Sequence, residues 1–144
     1  MVALQADRIV SIPELQAQLG DCPFHRLFSL NIVAVDTERQ TLVMRLGFSP
    51  AVERKAGTGQ YHGGAIAALI DIAGDYALIA ALGHGVPTIN FRVDYLRPAL
   101  GAHLTATACV RRAGRTIGVV DVEVTDDKGK LIALGRGCYG TQAG

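Results

Sequence analysis

The sequence contains no tryptophan, only five prolines and three cysteines among its 144 residues. The cysteines, at positions 22, 109 and 138, are odd in number and have no CxxC spacing, so we expect reduced thiols and no disulfide framework. A 49% hydrophobic and 19% charged composition is typical of a folded chain. The first twenty residues lack the charged head and long apolar run of a signal peptide. We therefore expect a cytoplasmic protein.

The charge balance and the length exclude further classes of protein. Fourteen basic and thirteen acidic side chains give a net charge of +1, without the clustered basic face that a nucleic-acid-binding protein needs. The length predicts a single domain spanning residues 1–144. The longest apolar run, residues 64–82, contains two aspartates, each of which would cost about 2.5–3.5 kcal/mol near the centre of a bilayer. We expect a buried helix there and no contact with a membrane.

The apolar periodicity predicts two helices and six strands. The helices are expected at about residues 12–20 and 64–82, and the strands at residues 23–36, 40–48, 88–95, 102–110, 116–125 and 131–139. The last four strands alternate apolar and polar residues between glycine turns, which indicates consecutive antiparallel hairpins. A long helix that is hydrophobic on nearly every face must be wrapped by other elements. The prediction is an α+β fold in which one antiparallel sheet curls around a central helix.

Asp71 is the most informative polar residue in the sequence. It lies about two turns inside the apolar helix, too deep to cap its N-terminus. Carboxylates are almost never fully buried unless they are paired, so this position favours a catalytic group. A hydrogen-bonded structural carboxylate, or one at a wet subunit interface, is the alternative. Asp75 lies one turn further along, and we interpret it as an interface or polar-pocket residue.

The tripeptide His62-Gly63-Gly64 opens the same helix. The first backbone N–H groups of a helix have no partner within it, and glycine lets a ligand approach them closely. A carbonyl oxygen could bind there with help from the helix dipole. A tight turn without a ligand is the alternative, and His62 itself is more typical of a group that locks the backbone than of a general base. No spacing of histidines and acids indicates a metal site, and no Walker, GxSxG or dinucleotide-binding motif occurs.

These residues together resemble the hotdog-fold acyl-CoA thioesterases. The similarity is carried by His62-Gly63-Gly64, by Asp71 within AALIDIAGDYAL, by the strand that ends in residues 95–98 (YLRP), and by the tail of residues 111–137. Within that superfamily the chain is similar to the branch of phenylacetyl-CoA and acyl-CoA thioesterases, which is related to 4-hydroxybenzoyl-CoA thioesterase. The resemblance covers roughly residues 25–140.

The resemblance implies roles for particular residues. The N–H of Gly63 would contact the thioester oxygen, and Asp71 would act as nucleophile or as general base on water. Thr88, which alternation alone places on the solvent face of its strand, would orient the attacking water. His62 would fix the loop. No metal or bound cofactor is implied, because coenzyme A belongs to the substrate, whose acyl group is expected to be medium-chain or aryl.

The family's active sites lie between subunits, so the resemblance implies a homodimer or homotetramer. A small sheet with uncovered edges independently needs such a partner. Three arginines are candidates for contacts with the CoA phosphates, because guanidinium suits bidentate phosphate binding: Arg97, Arg112 and Arg115. Gly64 is the fourth expected substrate-binding residue. Solvated strand ends are the alternative interpretation of these arginines.

One position departs from the family pattern. Many members carry Asn or Gln six residues before the loop histidine, where this chain has Ala56. The polar role could pass to Gln60, to another subunit, or to no group at all. Ala56 therefore keeps open a non-catalytic acyl-CoA-binding protein. Hydration or dehydration of an acyl thioester is a weaker alternative, because the glycine- and proline-rich loop motif of those relatives is absent.

Overall fold

The part of the chain that the structure describes folds into two helices, two short 3₁₀ turns and six strands. The computed structural model describes residues 10–143. In chain order the elements are helix α1 (Ile12–Asp21), strands β1 (Ser29–Asp36) and β2 (Thr41–Gly47), helix α2 (Gly63–Leu82), and strands β3 (Thr88–Tyr95), β4 (His103–Ala113), β5 (Ile117–Thr125) and β6 (Leu131–Gly140). The predicted number, type and order of these elements are confirmed.

All six strands form one antiparallel sheet in the order β1-β2-β4-β5-β6-β3. The alternation seen in the sequence is found in the structure: Leu104, Ala106 and Ala108 of β4 point into the core, and Val120, Val122 and Val124 of β5 do the same. Only β3 joins the sheet out of sequence order, beside β6. The chain therefore returns from α2 to an outer edge of the sheet before it fills the centre.

Helix α2 is the core that the sheet wraps. Twelve of its twenty residues are buried, and Gly83 ends it in the left-handed conformation with φ 80°. By length and composition this helix is apolar enough to cross a membrane. However, 67% of its most apolar 18-residue stretch is buried inside the fold. Its less buried positions include Ala67, Asp71 and Asp75, which share one face at a spacing of four residues. That face is the open side of the core helix.

Close approach of α2 to β6 depends on missing side chains. A Cβ atom at Gly74 would collide with the hydroxyl of Tyr139, and one at Gly135 would collide with Ile70. Tyr139 is fully buried and lies between the helix and the sheet. The helix thus packs on β6 at a distance that its larger residues alone would not allow.

The start of the first strand differs from the prediction. The structure begins β1 at Ser29, whereas the apolar run predicted a strand from Pro23. Residues His25–Leu27 form a 3₁₀ turn, which is tied to the end of α1 by contacts of His25 Nδ1 with Leu19 O (3.1 Å) and of Arg26 Nε with Gly20 O (2.8 Å). These local contacts hold residues 25–27 against the end of α1, so the segment does not join the sheet.

Strand β3 carries the apolar face that alternation predicted, but that face is largely uncovered within one chain. Ile89, Phe91 and Tyr95 are 54%, 39% and 52% exposed. Because β3 is an edge strand, its outer backbone groups also have no neighbouring strand within residues 10–143. The edge is therefore a surface suited to a protein partner.

Candidate active site

Asp71 and Thr88 meet on the open side of the core helix. The hydroxyl of Thr88 donates to Oδ1 of Asp71 across 2.8 Å. Asp71 is half-buried and Thr88 is exposed, so the pair is held by the fold and remains accessible. The sheet leaves this face of α2 uncovered, so the carboxylate of Asp71 is not enclosed on every side. The carboxylate and the hydroxyl that the family resemblance linked are thus brought together.

A β-bulge turns Thr88 toward the helix. In the register of β3 with β6, Thr88 lies opposite Tyr139 and Asn90 lies opposite Cys138, with the shift falling between Thr88 and Asn90. Ile89 is therefore an extra residue, and the side chains on its two sides point to opposite faces of the sheet. Alternation alone puts Thr88 on the same face as Asn90; the bulge instead turns its side chain toward α2, where it is still exposed.

Tyr139 sets the distance between α2 and the sheet near Asp71. Its hydroxyl donates to the backbone carbonyl of Asp71 across 3.0 Å. Burial, followed by the nearby charges of Asp71 and Asp75, raises the pKa of Tyr139, so the phenol keeps its proton and remains a donor. Sequence reasoning missed this residue, since its only signals are an apolar strand position and the glycines that make room for the ring.

The start of α2 has one backbone donor left over. His62 is the N-cap: its Nδ1 accepts from Gly64 N across 2.8 Å, and its carbonyl accepts from Ala65 N at 3.0 Å. Because Nδ1 is an acceptor here, the ring proton of a neutral His62 lies on Nε2. Among the described residues no protein group accepts from the N–H of Gly63. The free donor for an oxyanion is therefore Gly63, while the N–H of Gly64 is already bonded to the cap.

The far end of β3 is tied to the same helix start. The hydroxyl of Tyr95 donates to the carbonyl of Gly63 across 2.7 Å. Gly63 and Asp71 are eight residues apart on one helix, a rise of about 12 Å. One thioester carbonyl cannot contact both the N–H of Gly63 and the carboxylate of Asp71 in a single chain. The structure thus pairs Asp71 with Thr88 but separates both from the Gly63 donor.

Asp75 is the second carboxyl on this face of α2, and it is half-buried. Burial and the nearby charge of Asp71 raise its pKa to about 7, against a smaller lowering effect of the Val86 backbone N–H. Its Oδ1 atom is buried and has no hydrogen-bond partner in residues 10–143. The interpretation of Asp75 as an interface or polar-pocket residue stays a prediction, because this buried oxygen has no polar neighbour bonded to it in the described part of the chain.

The three arginines expected at the CoA phosphates do not form one cluster in a single chain. Arg112 and Arg115 lie at the β4–β5 hairpin, whereas Arg97 follows the end of β3. In the strand register, the hairpin lies beside Tyr139 of β6, whereas the end of β3 lies beside Ala133 of β6. These two positions are six residues apart on β6. That separation is about 20 Å along the sheet. All three arginines are exposed.

The loop before α2 carries the departure from the family pattern. Ala56 is exposed, in a turn between Glu53 and Gly59 that is closed by a bond from Gly59 N to Glu53 Oε1 (2.7 Å). Gln60 is half-buried, and its backbone carbonyl accepts from Arg54 N across 2.7 Å. The loop is thus held by its own backbone and by Glu53 without a polar side chain at position 56.

A cavity of about 600 Å³ lies on the outer face of the sheet, away from Asp71. Its charged groups neutralise one another: Arg136 and Arg111 contact Asp121 at 2.6 and 2.9 Å, and hold the pKa of Asp121 below its usual range. No group of three or more His, Cys, Asp or Glu side chains within residues 10–143 is placed to hold a metal ion. The Asp71–Thr88 pair is therefore the better candidate for chemistry.

Comparison with known proteins agrees with this geometry. The model of the thioesterase superfamily matches residues 58–133, which include α2 and the strands up to β6. VNG_1336C, a protein of Halobacterium salinarum that carries the name of an esterase, is 42% identical over 151 residues, and the match covers 96% of each chain. The medium/long-chain acyl-CoA thioesterase YigI of Escherichia coli is 27% identical over 132 residues, with 81% of this chain and 84% of YigI covered.

The acyl-coenzyme A thioesterase PaaI of Escherichia coli is similar in both sequence and structure. The sequences are 40% identical over 77 residues, which cover 53% of this chain and 54% of PaaI. The structure of PaaI, a protein from the phenylacetic acid degradation operon, superposes with a TM-score of 0.77 at 26% identity and covers 93% of this chain and 97% of PaaI. The chain has the hotdog fold and belongs to the thioesterase superfamily, in its PaaI-like branch.

Proposed function

We propose that this chain is an acyl-CoA thioesterase that cleaves a medium-chain or aryl acyl-CoA to the free acid and coenzyme A. The observation that carries the proposal is the hydrogen bond between Thr88 and Asp71 on the open face of the core helix, in a chain of the thioesterase superfamily. A carboxylate and a hydroxyl held 2.8 Å apart can bind and activate one water molecule between them.

The proposed reaction uses only groups of the chain and water. In the general-base route Asp71 takes a proton from water, the oxygen attacks the thioester carbon, and the C–S bond breaks with release of the CoA thiolate. In the covalent route an Asp71 oxygen attacks first, and water then hydrolyses the acyl anhydride. Thr88 orients the carboxylate and the water in both routes. The N–H of Gly63 stabilises the oxyanion.

The acyl group is proposed to lie beside α2. Ala67 and Ala68 on the open side of the helix are small and half-buried, which leaves apolar space next to Asp71. The relatives point to the same classes of substrate: YigI is named for medium and long acyl chains, and PaaI belongs to a phenylacetic acid operon. The proposed substrate therefore carries either a medium-chain acyl group, which the name of YigI supports, or an aryl group, which the operon of PaaI supports.

A homodimer is proposed to complete the site. Since Gly63 and Asp71 of one chain are about 12 Å apart along the helix, the oxyanion donor would come from Gly63 of the partner subunit. The apolar edge at Ile89, Phe91 and Tyr95 is continuous with the Asp71–Thr88 pair and is the surface on which a second copy would lie. The proposal also includes the pairing of two such dimers into a tetramer. In it, Arg97, Arg112 and Arg115 would lie near the CoA phosphates.

The test is thiol release from short-, medium-, long-chain and aryl acyl-CoAs by wild type and by Asp71→Asn. Loss of a catalytic base predicts a fall in kcat of about 10²–10⁴-fold with folding intact. Asp94→Asn is the matched control, because Asp94 lies on β3 but pairs with Arg92 on the outer face of the sheet. It should keep wild-type turnover.

Absence of turnover with every acyl-CoA would refute the enzyme. Saturable binding of acyl-CoA without turnover, unchanged in Asp71→Asn, would then support the binding protein that Ala56 keeps open.

A further inference from the structure

Two tyrosine hydroxyls bond to backbone carbonyls of α2, one at each position that the proposed reaction uses. Tyr139 donates to the carbonyl of Asp71 across 3.0 Å, and Tyr95 donates to the carbonyl of Gly63 across 2.7 Å. Tyr139 is fully buried, so its ring also fills space between the helix and the sheet. Tyr95 is 52% exposed, so packing of the core does not explain its bond to Gly63.

The contact between Tyr95 and Gly63 involves the ring as well as the hydroxyl. A Cβ atom at Gly63 would lie 3.4 Å from the Cε1, Cζ and Oη atoms of Tyr95. Because glycine has no such atom, the end of the ring can lie close against the start of the helix. A phenylalanine, such as Phe91 on the same strand, would supply an apolar edge without this hydroxyl. The edge alone therefore does not require a tyrosine.

The peptide between Gly63 and Gly64 is held at both of its polar atoms. Its N–H, which belongs to Gly64, donates to Nδ1 of His62 across 2.8 Å, and its carbonyl accepts from Tyr95. The preceding peptide is held at the carbonyl of His62, which accepts from Ala65 N at 3.0 Å. The N–H of that preceding peptide is the donor on Gly63. Because the peptides on both sides of the Gly63 Cα atom are held, the direction of this donor is set by the fold.

Two successive glycines give this support a purpose. Glycine populates more backbone conformations than other residues, and the ends of helices fray. A donor to an oxyanion is most effective when it already points to the place where the charge develops, because no reorganisation is then needed during the reaction. A bond to the carbonyl of Gly63 restricts the rotation that the glycines would otherwise allow.

We propose that Tyr95 is a positioning residue for the oxyanion donor, and that its hydroxyl sets the direction of the Gly63 N–H by holding the Gly63 carbonyl. The proposal rests on the proposed thioesterase function, in which that N–H stabilises the oxyanion. Tyr95 itself does not touch the thioester. Strand β3 then serves both parts of the reaction: its first residue, Thr88, bonds to Asp71, and its last residue bonds to Gly63.

The test compares kcat and KM of wild type, Tyr95→Phe and Tyr61→Phe. Tyr95→Phe keeps the ring and loses the bond to Gly63. Its kcat should fall about 10-fold with little change in KM, less than the loss expected when the donor itself is removed. Tyr61→Phe is the matched control, because its hydroxyl also donates to a backbone carbonyl, that of Gly101, at 3.1 Å and outside α2. It should keep the kcat of wild type.

Two double variants separate positioning of the donor from a general effect on the strand. In Gly63→Pro the donor is absent, so the addition of Tyr95→Phe should not lower kcat further. In Thr88→Val the donor is present, so the addition of Tyr95→Phe should again lower kcat about 10-fold. A general loosening of β3 would instead lower kcat by the same factor in both backgrounds.

Thermal melts and light scattering establish that each variant is folded and keeps the association state of wild type. A wild-type kcat in Tyr95→Phe, or a further fall of kcat in the Gly63→Pro background, would overturn the role of Tyr95 while leaving the thioesterase intact. A wild type without turnover of any acyl-CoA would overturn both.

Discussion

The hydroxyl of Thr88 lies 2.8 Å from the carboxylate of Asp71 because one extra residue, Ile89, interrupts the pleat of β3. Without the bulge, Thr88 would share a face with Asn90, Arg92 and Asp94, which point away from the helix. Bulges recur next to active sites because they redirect a side chain at little cost to the rest of the ladder. Here the bulge brings a strand residue to the open side of the core helix.

Thr88→Val removes this hydroxyl and keeps the shape of the side chain. We expect kcat to fall about 10²-fold with little change in KM, because the carboxylate and the water lose their common partner. Steady-state thiol release measures the effect. Thr88→Ser retains the hydroxyl and should keep most of the activity, and equal losses in the two variants would contradict the role given to the hydroxyl.

The long helix, the hairpins and the position of Asp71 could be predicted because each leaves a periodic signal. The strands alternate between apolar and polar residues, and an aspartate stands out in an apolar helix. Thr88 could not be placed by the same reasoning, since a bulge depends on how two strands pair and leaves no mark in one strand's own alternation. Only the family resemblance assigned Thr88 to the site.

Depth of burial could not be predicted either. A helix that is apolar on nearly every face gives no sign of which face the sheet leaves open, and Asp71 is half-buried in the structure. Both Asp71 and Asp75 are half-buried, and burial raises the pKa of Asp75. Likewise, the alternation correctly identifies the apolar face of β3, but it gives no sign that this face is largely exposed among the described residues. Such features depend on tertiary and quaternary packing.

Gly74→Ala tests the close packing beneath Asp71. The new methyl would collide with the hydroxyl of Tyr139, which bonds to the carbonyl of Asp71. Overpacking of this kind typically costs about 1–3 kcal/mol, so the free energy of unfolding in urea should fall by that amount. Activity should also fall, because the helix must move at Asp71. Gly20→Ala is the control: it meets no atom within 4 Å on the exposed end of α1, and should be stabilising by about 0.5–1 kcal/mol.

Asp75→Asn is expected to change how stability depends on pH. The pKa of Asp75 is about 7 in the folded chain and 3.8 in the reference state, so the folded protein binds a proton that the unfolded chain releases. Stability from this group is complete below about pH 4 and is lost as the pH rises through about 7. The asparagine variant should therefore be more stable than wild type at pH 8, on the order of a few kcal/mol, and similar at pH 4.

Urea unfolding at several pH values measures this difference, with Asp94→Asn as the control on the outer face of the sheet. A constant difference between Asp75→Asn and wild type at all pH values would mean that the carboxyl does not titrate as described.

Phe91→Asp tests the proposed partner surface. Phe91 is 39% exposed on the edge strand β3, and a charge on an edge strand disfavours pairing with a second strand. We expect light scattering to show a shift from dimer to monomer, together with loss of turnover. Val33→Asp, at 43% exposure on β1 at the opposite edge of the sheet, should leave the dimer and its activity in place. Loss of activity by a variant that remains dimeric would argue against this surface.

Gly63→Pro tests the oxyanion donor without changing a side chain of the site. Gly63 is the first residue of α2, where proline fits well, and the substitution removes only the N–H that has no protein partner. A Cβ atom there would meet the ring of Tyr95 at 3.4 Å, an ordinary contact. We expect a folded protein whose kcat is about 10²–10³-fold lower than that of wild type, which is the usual cost of losing one oxyanion contact.

Mixing the two inactive variants, Gly63→Pro and Asp71→Asn, then shows which subunit supplies the donor. If Gly63 of one chain acts with Asp71 of the other, each mixed dimer contains one intact site and one doubly altered site. Random exchange of subunits makes half of the dimers mixed, so about one quarter of the wild-type activity should return. If both groups acted within one chain, every site would carry one substitution and no activity would return. The rise of about 12 Å between these residues on α2 makes the first result the expected one.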